Sequence, residues 1–300
     1  MFVIKYRKFF YALSILVVVA SIVCISIWGL NAGIDFKGGS IIEVEYAENR
    51  PSQESITSAI APLELTASVR STGENGYIIR MKAIDQAEKT ELMNALTQNG
   101  SLQIMEKRFD SIGPLLGAEA LRKAIVSIVF VLLAIVFFIA FAFRKVSEPV
   151  SSWKYGLVAI IALAHDVIVP TGVFAVLGYF MGYEVDTLFV TALLVVLGFS
   201  IHDTIVVFDR VRENLKNASN NKPFSDIVGE SINQTFTRSI NTSMTTLLAL
   251  VVLYFVGGES TQHFSLVLII GIVAGTYSSI FLGSPLLVTI EKFKAKKGKK

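Results

Sequence analysis

Residues Thr187–Phe208 read TLFVTALLVVLGFSIHDTIVVF, and this stretch decides the class of fold. It contains one formally charged side chain, Asp203, and is otherwise almost entirely apolar. An α-helix of about 20 residues is long enough to cross the hydrocarbon core of a bilayer. Lipid offers no partners for backbone N–H and C=O groups, so a spanning segment of this length has to be helical. The stretch therefore predicts a membrane-spanning helix.

Five further runs have similar length and composition, which predicts six membrane helices in all. These runs are Phe9–Leu30, Ala124–Phe143, Tyr155–Phe180, Ser239–Val256 and Phe264–Ile290. The whole chain agrees, because 53% of its residues are hydrophobic, 17% are charged and its mean hydropathy is +0.60. Soluble domains carry about a quarter charged residues. The fold class predicted for residues 121–291 is an all-α membrane bundle completed by the first helix, in residues 1–30.

The positions of Lys and Arg predict the orientation, because short cytoplasmic loops carry an excess of both. Seventeen of the 27 basic residues lie on the side that holds both termini and the loops 144–154 and 209–238. The other ten lie in residues 31–123, a segment too long for the rule to apply. We therefore expect both termini in the cytoplasm, including a basic tail at 292–300.

The first run could instead be a signal peptide, since it follows Lys5, Arg7 and Lys8. It is longer than the apolar core of a signal peptide and lacks a clear small-residue cleavage pattern at its end. A retained membrane anchor is therefore the prediction.

Residues 31–120 have the composition of a soluble domain and are predicted to lie outside the cytoplasm. Strands are predicted at Ser40–Tyr46, Thr66–Ser71, Gly76–Met81 and Leu102–Phe109, and helices at Ser52–Leu63 and Asp85–Gln98. This β-α-β-β-α-β order is that of a ferredoxin-like α+β domain. The segment contains no His, no Cys and no phosphate-binding loop, so no active site is predicted in it. Gly38–Gly39 are expected to form a tight turn before the first strand, with a contact site for a moving substrate as the alternative.

Ionisable side chains inside the apolar runs are the main functional candidates. Placing a charge at the bilayer centre costs at least about 2.5–3.5 kcal/mol, so such residues usually face protein or water and mark pathways. The principal candidates are Asp203 and Arg238, and the weaker ones are Asp166 and His202. Asp203 could instead only fix helix packing, and Arg238 could reach the headgroups from a helix start.

A polar stripe accompanies Arg238 along the fifth membrane helix. Asn241, Thr242 and Thr245 follow it at helical spacing, and we expect this face to lie against protein or a hydrated cavity. In the sixth helix, small residues recur every four positions, which predicts close packing with a neighbouring helix. They are Gly271, Gly275, Ser279 and Gly283.

Residues 209–237 predict an amphipathic helix on the cytoplasmic surface of the membrane, with a packed internal helix as the alternative. No catalytic residue, cofactor or metal site is predicted. The pairs His165–Asp166 and His202–Asp203 have neither metal-ligand spacing nor a nucleophile beside them.

Three strings resemble the SecF family of bacterial and archaeal protein-export membrane subunits. They are Gly33–Gly39 (GIDFKGG), Gly198–Asn214 (GFSIHDTIVVFDRVREN) and Asn233–Thr246 (NQTFTRSINTSMTT). The resemblance covers essentially the whole chain, and the two longer strings are the more specific ones.

The resemblance implies half of a twelve-span assembly, similar to resistance–nodulation–division transporters, with SecD as the other half. It implies a bacterial plasma-membrane protein that works beside the SecYEG channel, with a YidC-like insertase as a further partner. Its substrates would be unfolded preproteins and its energy source the proton gradient, with no hydrolytic chemistry and no nucleic-acid partner. The family's proton-pathway residues correspond to Asp203 and Arg238.

We expect an ionised Asp203 to pair with Arg238, and protonation of Asp203 to release the arginine. The coupling ion, proton or sodium, stays open. Two other functions also stay open at this point. One is a proton-coupled transporter subunit for a lipid or small molecule, and the other is a purely structural subunit that steadies SecD or the channel.

Overall fold

The computed structural model describes residues 2–48, 50–142, 151–218 and 222–297. Two compact units are present, one formed by Met1–Asn31 with Val126–Lys300 and the other by Ala32–Ile125. The second unit is close to the predicted domain 31–120. Arg144 and Lys145 of the predicted loop, and Lys299 and Lys300 of the predicted tail, lie outside the described residues.

The helices, in chain order, are α1 (Phe2–Lys5), α2 (Arg7–Trp28), α3 (Ile34–Lys37), α4 (Gln53–Ile60), α5 (Gln86–Leu96), α6 (Pro114–Ala142), α7 (Ser152–Met181), α8 (Thr187–Asn217), α9 (Phe224–Val256), α10 (Glu259–Tyr277) and α11 (Ser284–Lys297). The strands are β1 (Gly39–Tyr46), β2 (Ser68–Thr72), β3 (Gly76–Met81) and β4 (Ile104–Ile112). A 3₁₀ turn, Ala61–Leu63, follows α4, and a π-helical segment, Ser278–Gly283, joins α10 to α11.

Six helical stretches in the described residues are long and apolar enough to cross a membrane, which confirms the predicted number of spans. They comprise α2, α6, α7, α8, α9 and the continuous stretch Ser260–Phe293. Half of the most apolar 18-residue segment of α7 is buried inside the protein, and the same holds for α8. In the last stretch the buried share of that segment is 67%. The corresponding share in α6 is 6%. Helices α7, α8 and α10 therefore form the centre of this unit, and α6 exposes almost its whole apolar surface.

The predicted surface helix at 209–237 is not a separate element, and the alternative of internal packing is the one found. Residues 209–217 continue α8, and residues 224–237 are the first turns of α9. Phe224, Val228 and Ile232 are buried in the same apolar cluster as Val207 and Val211. Packing against α8 removes this apolar face from both water and headgroups, which a helix lying on the membrane surface achieves on one side only.

Polar side chains extend the contact between these two helices. Asn214 Nδ2 donates to Ser231 Oγ over 2.9 Å, and Arg210 Nε donates to Gln234 Oε1 over 2.6 Å. The α8–α9 pair is thus one antiparallel hairpin that continues past the predicted ends of both apolar runs.

Glycines allow α10 to approach α8 closely. A Cβ atom added to Gly271 would overlap the side chain of Val196, and one added to Gly275 would lie 2.9 Å from Ser200 Cβ. Gly283 has a different neighbour, because a Cβ there would meet Val158 of α7 at an ordinary 3.8 Å. Two members of the predicted small-residue column are therefore required by the α8–α10 contact, and Gly283 is not.

The second unit has the predicted β-α-β-β-α-β order. Its four strands form an antiparallel sheet in the order β2-β3-β1-β4. Ile42 pairs with Ile79 in register, and both are fully buried with Ile56 of α4 and Leu92 of α5. The predicted start of β2 at Thr66 was wrong. Thr66 has a φ of 49°, a left-handed conformation that cannot continue an extended strand.

Asp85 forms the predicted N-cap of α5. Its Oδ1 accepts hydrogen bonds of 2.9 Å from the backbone N–H groups of Ala87 and Glu88. Glu88 Oε2 accepts in return from the Asp85 N–H over 3.0 Å. This reciprocal capping box fixes the start of the helix where the sequence placed it.

Gly38 and Gly39 make the predicted turn into β1, with φ angles of +76° and +136°. A Cβ on Gly38 would lie 2.7 Å from Pro114 Cα, and one on Gly39 would lie 2.8 Å from the Met81 carbonyl oxygen. Both glycines are therefore required by conformation and by the backbone packed against them.

We expect Gly38→Ala to destabilise the sheet by more than the roughly 1–3 kcal/mol that left-handed strain alone costs. Gly73→Ala is the matched control, since Gly73 has a φ of +55° but open space around it. Hydrogen exchange of β1 and β4 amides, measured by mass spectrometry on the full chain, should accelerate strongly in the first variant and weakly in the second. Equal acceleration would show that the backbone contact with Pro114 adds nothing.

We expect Gly271→Ala to lower the free energy of unfolding by about 1–3 kcal/mol, as overpacking does in well-packed cores. Gly283→Ala should be neutral or slightly stabilising, because its Cβ has room. Thermal unfolding of the two purified variants in detergent makes the comparison. A larger loss for Gly283→Ala would contradict the described α8–α10 contact.

Candidate functional site

Asp203 is buried in the membrane unit between α8 and α9. Its side-chain carboxyl accepts a hydrogen bond through Oδ1 from Ser239 Oγ of α9. The other oxygen, Oδ2, is buried and has no hydrogen-bond partner among the described residues. Leaving a buried polar atom unsatisfied costs about 1–3 kcal/mol or more, so such an atom calls for an explanation. A proton that binds and leaves at this oxygen is one.

Arg238 does not pair with Asp203 in this structure, contrary to our expectation. Its side chain is exposed and forms no ion pair or hydrogen bond within the described part of the chain. The neighbouring residue Ser239 takes the inward position and contacts the carboxyl group instead. A serine hydroxyl is small enough to sit between closely packed helices, whereas an arginine there would separate them.

The polar stripe on α9 is exposed along its length. Asn241, Thr242 and Thr245 all share the outer face with Arg238. No described helix of this chain covers this face, so the expectation that it lies against protein or a hydrated cavity stays a prediction. The buried face of α9 is instead defined by Ser239 and Ser243, and Ser243 Oγ lies 2.6 Å from Thr276 Oγ1 of α10.

Asp166 of α7 is completely buried and fully hydrogen-bonded. Ser200 Oγ of α8 and Ser278 Oγ of the π-helical segment both donate to its Oδ2, the latter over 2.8 Å. His165 Nδ1 lies 2.9 Å from Oδ1, and the His165 ring stacks on Tyr277 with centroids 5.9 Å apart. This second carboxyl group is therefore held by three elements, where Asp203 is held by one hydroxyl.

Further buried hydroxyl groups lie on α8 and the π-helical segment beside Asp166. Thr204, next to Asp203 in the chain, has its Oγ1 2.9 Å from Ser279 Oγ. Ser279 Oγ also lies 3.4 Å from the Ser200 carbonyl oxygen, and the Ser200 hydroxyl donates a hydrogen bond to Asp166. Ser200, Thr204 and Ser279 thus form a row of buried hydroxyl residues between α8 and the last membrane helix, next to Asp166.

Two consecutive serines of the π-helical segment have partners on two different helices. Ser278 contacts Asp166 and Ser279 contacts Thr204, and both serines are fully buried. Consecutive side chains on a helix point about 100° apart, so Ser278 faces Asp166 of α7 while Ser279 faces Thr204 of α8. Such π-segments occur frequently at functional sites.

His202, the remaining candidate, is exposed on α8 and takes no part in this arrangement. Sequence reasoning missed Ser200, Thr204, Ser239 and Ser278. The available signal was the recurrence of hydroxyl residues, within otherwise apolar runs, at positions one to four residues from Asp203, Arg238 and Gly275. In the part of the chain that is described, no group of three or more His, Cys, Asp and Glu side chains could hold a metal ion.

Comparison with known proteins identifies two matching family models. Residues 91–293 match the model of the protein export membrane protein SecD/SecF C-terminal region, and residues 29–49 match the SecD/SecF GG motif. The first match contains Asp166, Asp203 and Arg238, and the second contains the turn at Gly38–Gly39.

Individual relatives agree over nearly the whole chain. The protein translocase subunit SecF of Thermobaculum terrenum is 44% identical, covering 96% of this chain and 93% of the relative. That of Anaerolinea thermophila is 37% identical, covering 95% and 92%.

Among solved structures, the crystal structure of SecDF from Thermus thermophilus, a translocon-associated membrane protein, matches with a TM-score of 0.81 and 29% identity. The match covers 96% of this chain and 38% of that longer one. Family models, full-length relatives and fold all agree, and the chain, a multi-pass bacterial membrane protein, therefore belongs to the SecD/SecF family of protein-export membrane proteins, among its SecF translocase subunits.

Proposed function

We propose that this chain works with a SecD partner as a proton-driven subunit that promotes preprotein export through the SecYEG channel. The observation that carries the proposal is the buried Asp203 carboxyl group, with one oxygen bound to Ser239 and the other without a partner. Its relatives are named protein translocase subunits, which supports the export role. The proposal includes cytoplasmic termini, unfolded preproteins as substrate, a YidC-like insertase as a further partner, and no hydrolytic chemistry of its own.

The SecD partnership is supported by an exposed polar face of α9. The described helices provide no cover for the outer face of α9, where Arg238, Asn241, Thr242 and Thr245 are exposed. A charged and polar face is costly against lipid tails. The matched SecDF chain is much longer, since this chain spans 38% of it. A second set of membrane helices packed on α9 would remove Arg238 and its polar neighbours from lipid.

The arrangement changes the protonation switch that the sequence suggested. Ser239 rather than Arg238 holds Asp203 in the conformation described here. An ionised carboxylate only accepts hydrogen bonds, whereas a protonated one can also donate from Oδ2. Protonation of Asp203 therefore gives α8 a hydrogen-bond donor on the side that faces α9. Arg238 directly precedes Ser239 in α9. When Asp203 gains a proton, Arg238 is the side chain that exchanges partners at the SecD interface.

The energy available per step limits the mechanism. Moving one charge across the membrane releases about 2.3 kcal/mol per 100 mV, with any pH difference in addition. This is enough to bias two packed arrangements of a helix bundle but small for one large movement. Repeated cycles of protonation are therefore expected during the export of one preprotein.

Asp166 is the weaker candidate for the same pathway. Its three hydrogen-bond partners satisfy the carboxyl group without any proton exchange. We assign it a positioning role, in which it holds α7, α8 and the π-helical segment together beside Asp203.

We expect Asp203→Asn to abolish the stimulation of preprotein translocation by a proton gradient, with a loss of at least about tenfold in the stimulated rate. The amide keeps the size of the side chain and still accepts from Ser239, but it cannot bind and release a proton. The measurement is the translocation rate into inverted membrane vesicles that contain the SecD partner, with and without the gradient. Undiminished stimulation in this variant would sink the assignment of Asp203. A sodium gradient applied alone tests the coupling ion.

Two controls separate transport from assembly. Asp203→Asn should co-purify with SecD at the wild-type level, and loss of co-purification would instead favour a structural subunit. Ser239→Ala should reduce the gradient-stimulated rate, because it removes the hydroxyl that Asp203 binds. Ser243→Ala, one turn further along the same face, removes a hydroxyl bound to Thr276 and should leave the stimulation intact.

A further inference from the structure

A cavity of about 310 Å³ lies where three segments distant in the sequence meet at one end of the membrane unit. Its wall is formed by the end of α1 and the start of α2, by the first turn of α9, and by α11. The lining residues are Ile4, Lys5, Arg7, Lys8, Ser225, Asp226 and Lys292. None of them belongs to the Asp203 site.

The cavity is strongly positive. It brings together four cationic side chains and a single carboxylate, that of Asp226, which leaves a formal charge of +3. Within the described residues, none of Lys5, Arg7, Lys8 and Lys292 takes part in an ion pair. Arg7 Nη1 donates to the Ile4 carbonyl oxygen over 3.2 Å, which anchors one side of its guanidinium group. The N-terminal end of α9 adds the partial positive charge of a helix start.

The fold holds these charges together through apolar anchors. Val3 and Ile4 of α1 are buried in the main apolar cluster of the membrane unit, together with Phe224 and Val228 of α9. The cationic side chains that flank the anchors are therefore kept beside one another despite their mutual repulsion. An anion in the cavity would relieve that repulsion.

The cavity also lies at a boundary between polar and apolar surface. The apolar run of α2 begins immediately after Lys8, and Lys292 follows the last apolar run. Phe2 and Phe9, next to the basic residues, are 64% exposed, and Phe293 is 68% exposed. Exposed apolar rings beside Lys and Arg are expected where a chain passes from hydrocarbon to headgroups, because long cationic side chains near helix ends reach the interface.

We propose that this cavity binds the phosphate headgroup of an anionic phospholipid, with the exposed phenylalanines against its acyl chains. Basic pockets between membrane helices on the cytoplasmic side bind such headgroups, and the cytoplasmic leaflet is the anionic one. A free phosphate shares the charge but makes no use of the neighbouring apolar surface. The site joins the two chain ends to the start of α9, whose next turns reach Ser239.

The test uses native mass spectrometry of the full chain in nonionic detergent, titrated with phosphatidylglycerol. Each cation near an anionic headgroup contributes roughly fivefold to binding. We therefore expect the triple variant Lys5→Gln, Lys8→Gln, Lys292→Gln to bind at least about tenfold more weakly than the wild type. Asp226→Asn should act in the opposite direction and tighten binding by up to about fivefold.

The matched control removes the same charge elsewhere. Lys154→Gln, Lys216→Gln, Lys222→Gln deletes three cations outside the cavity on the same predicted side of the membrane, and it should change the affinity less than about twofold. An equal loss in this control, or equal affinity of the wild type for phosphatidylcholine, would overturn the site. Displacement of the lipid by excess inorganic phosphate would overturn the lipid assignment in favour of a soluble anion.

Discussion

The interaction on which the membrane unit depends is the hydrogen bonding of two buried carboxyl groups by hydroxyls from neighbouring helices. Lipid cannot satisfy a polar group, so the carboxyl groups inside the bundle take their hydrogen bonds from side chains within it. Asp166 takes its partners from α8 and the π-helical segment, and Asp203 takes its partner from α9. These bonds set which faces of α7, α8, α9 and the last membrane helix turn inward.

Much of the architecture could be predicted because it follows from local rules. Apolar length predicted the six spans, and alternating and helical periodicity predicted the ferredoxin-like order of residues 31–120. The Asp85 cap and the Gly38–Gly39 turn were predictable because each depends on backbone needs that few residue types satisfy. The sequence also indicated Asp203, since a carboxyl group inside a membrane span is costly and usually has a functional role.

The partners of these residues could not be predicted, because they depend on which helices become neighbours. Arg238 and Ser239 are adjacent in the chain, and the stripe that follows Arg238 suggested an inward face. Close packing of α9 on α8 and α10 favoured the smaller hydroxyls and turned the stripe outward. For residues 209–237 a surface helix and a packed helix both stayed open for a similar reason. Their amphipathic pattern fits a membrane surface and a protein surface equally well, and the apolar cluster around Val207 and Phe224 decided the matter.

The π-helical segment Ser278–Gly283 changes which residues of the last membrane helix share a face. One extra residue in the turn rotates everything that follows by about 100° relative to what precedes it. A single helical-wheel projection of residues 260–293 is therefore invalid, and two wheels, offset in phase, are needed. The four-residue spacing from Gly271 to Gly283 looks like one column on paper. In three dimensions Gly271, Gly275 and Ser279 face α8, whereas Gly283 faces α7.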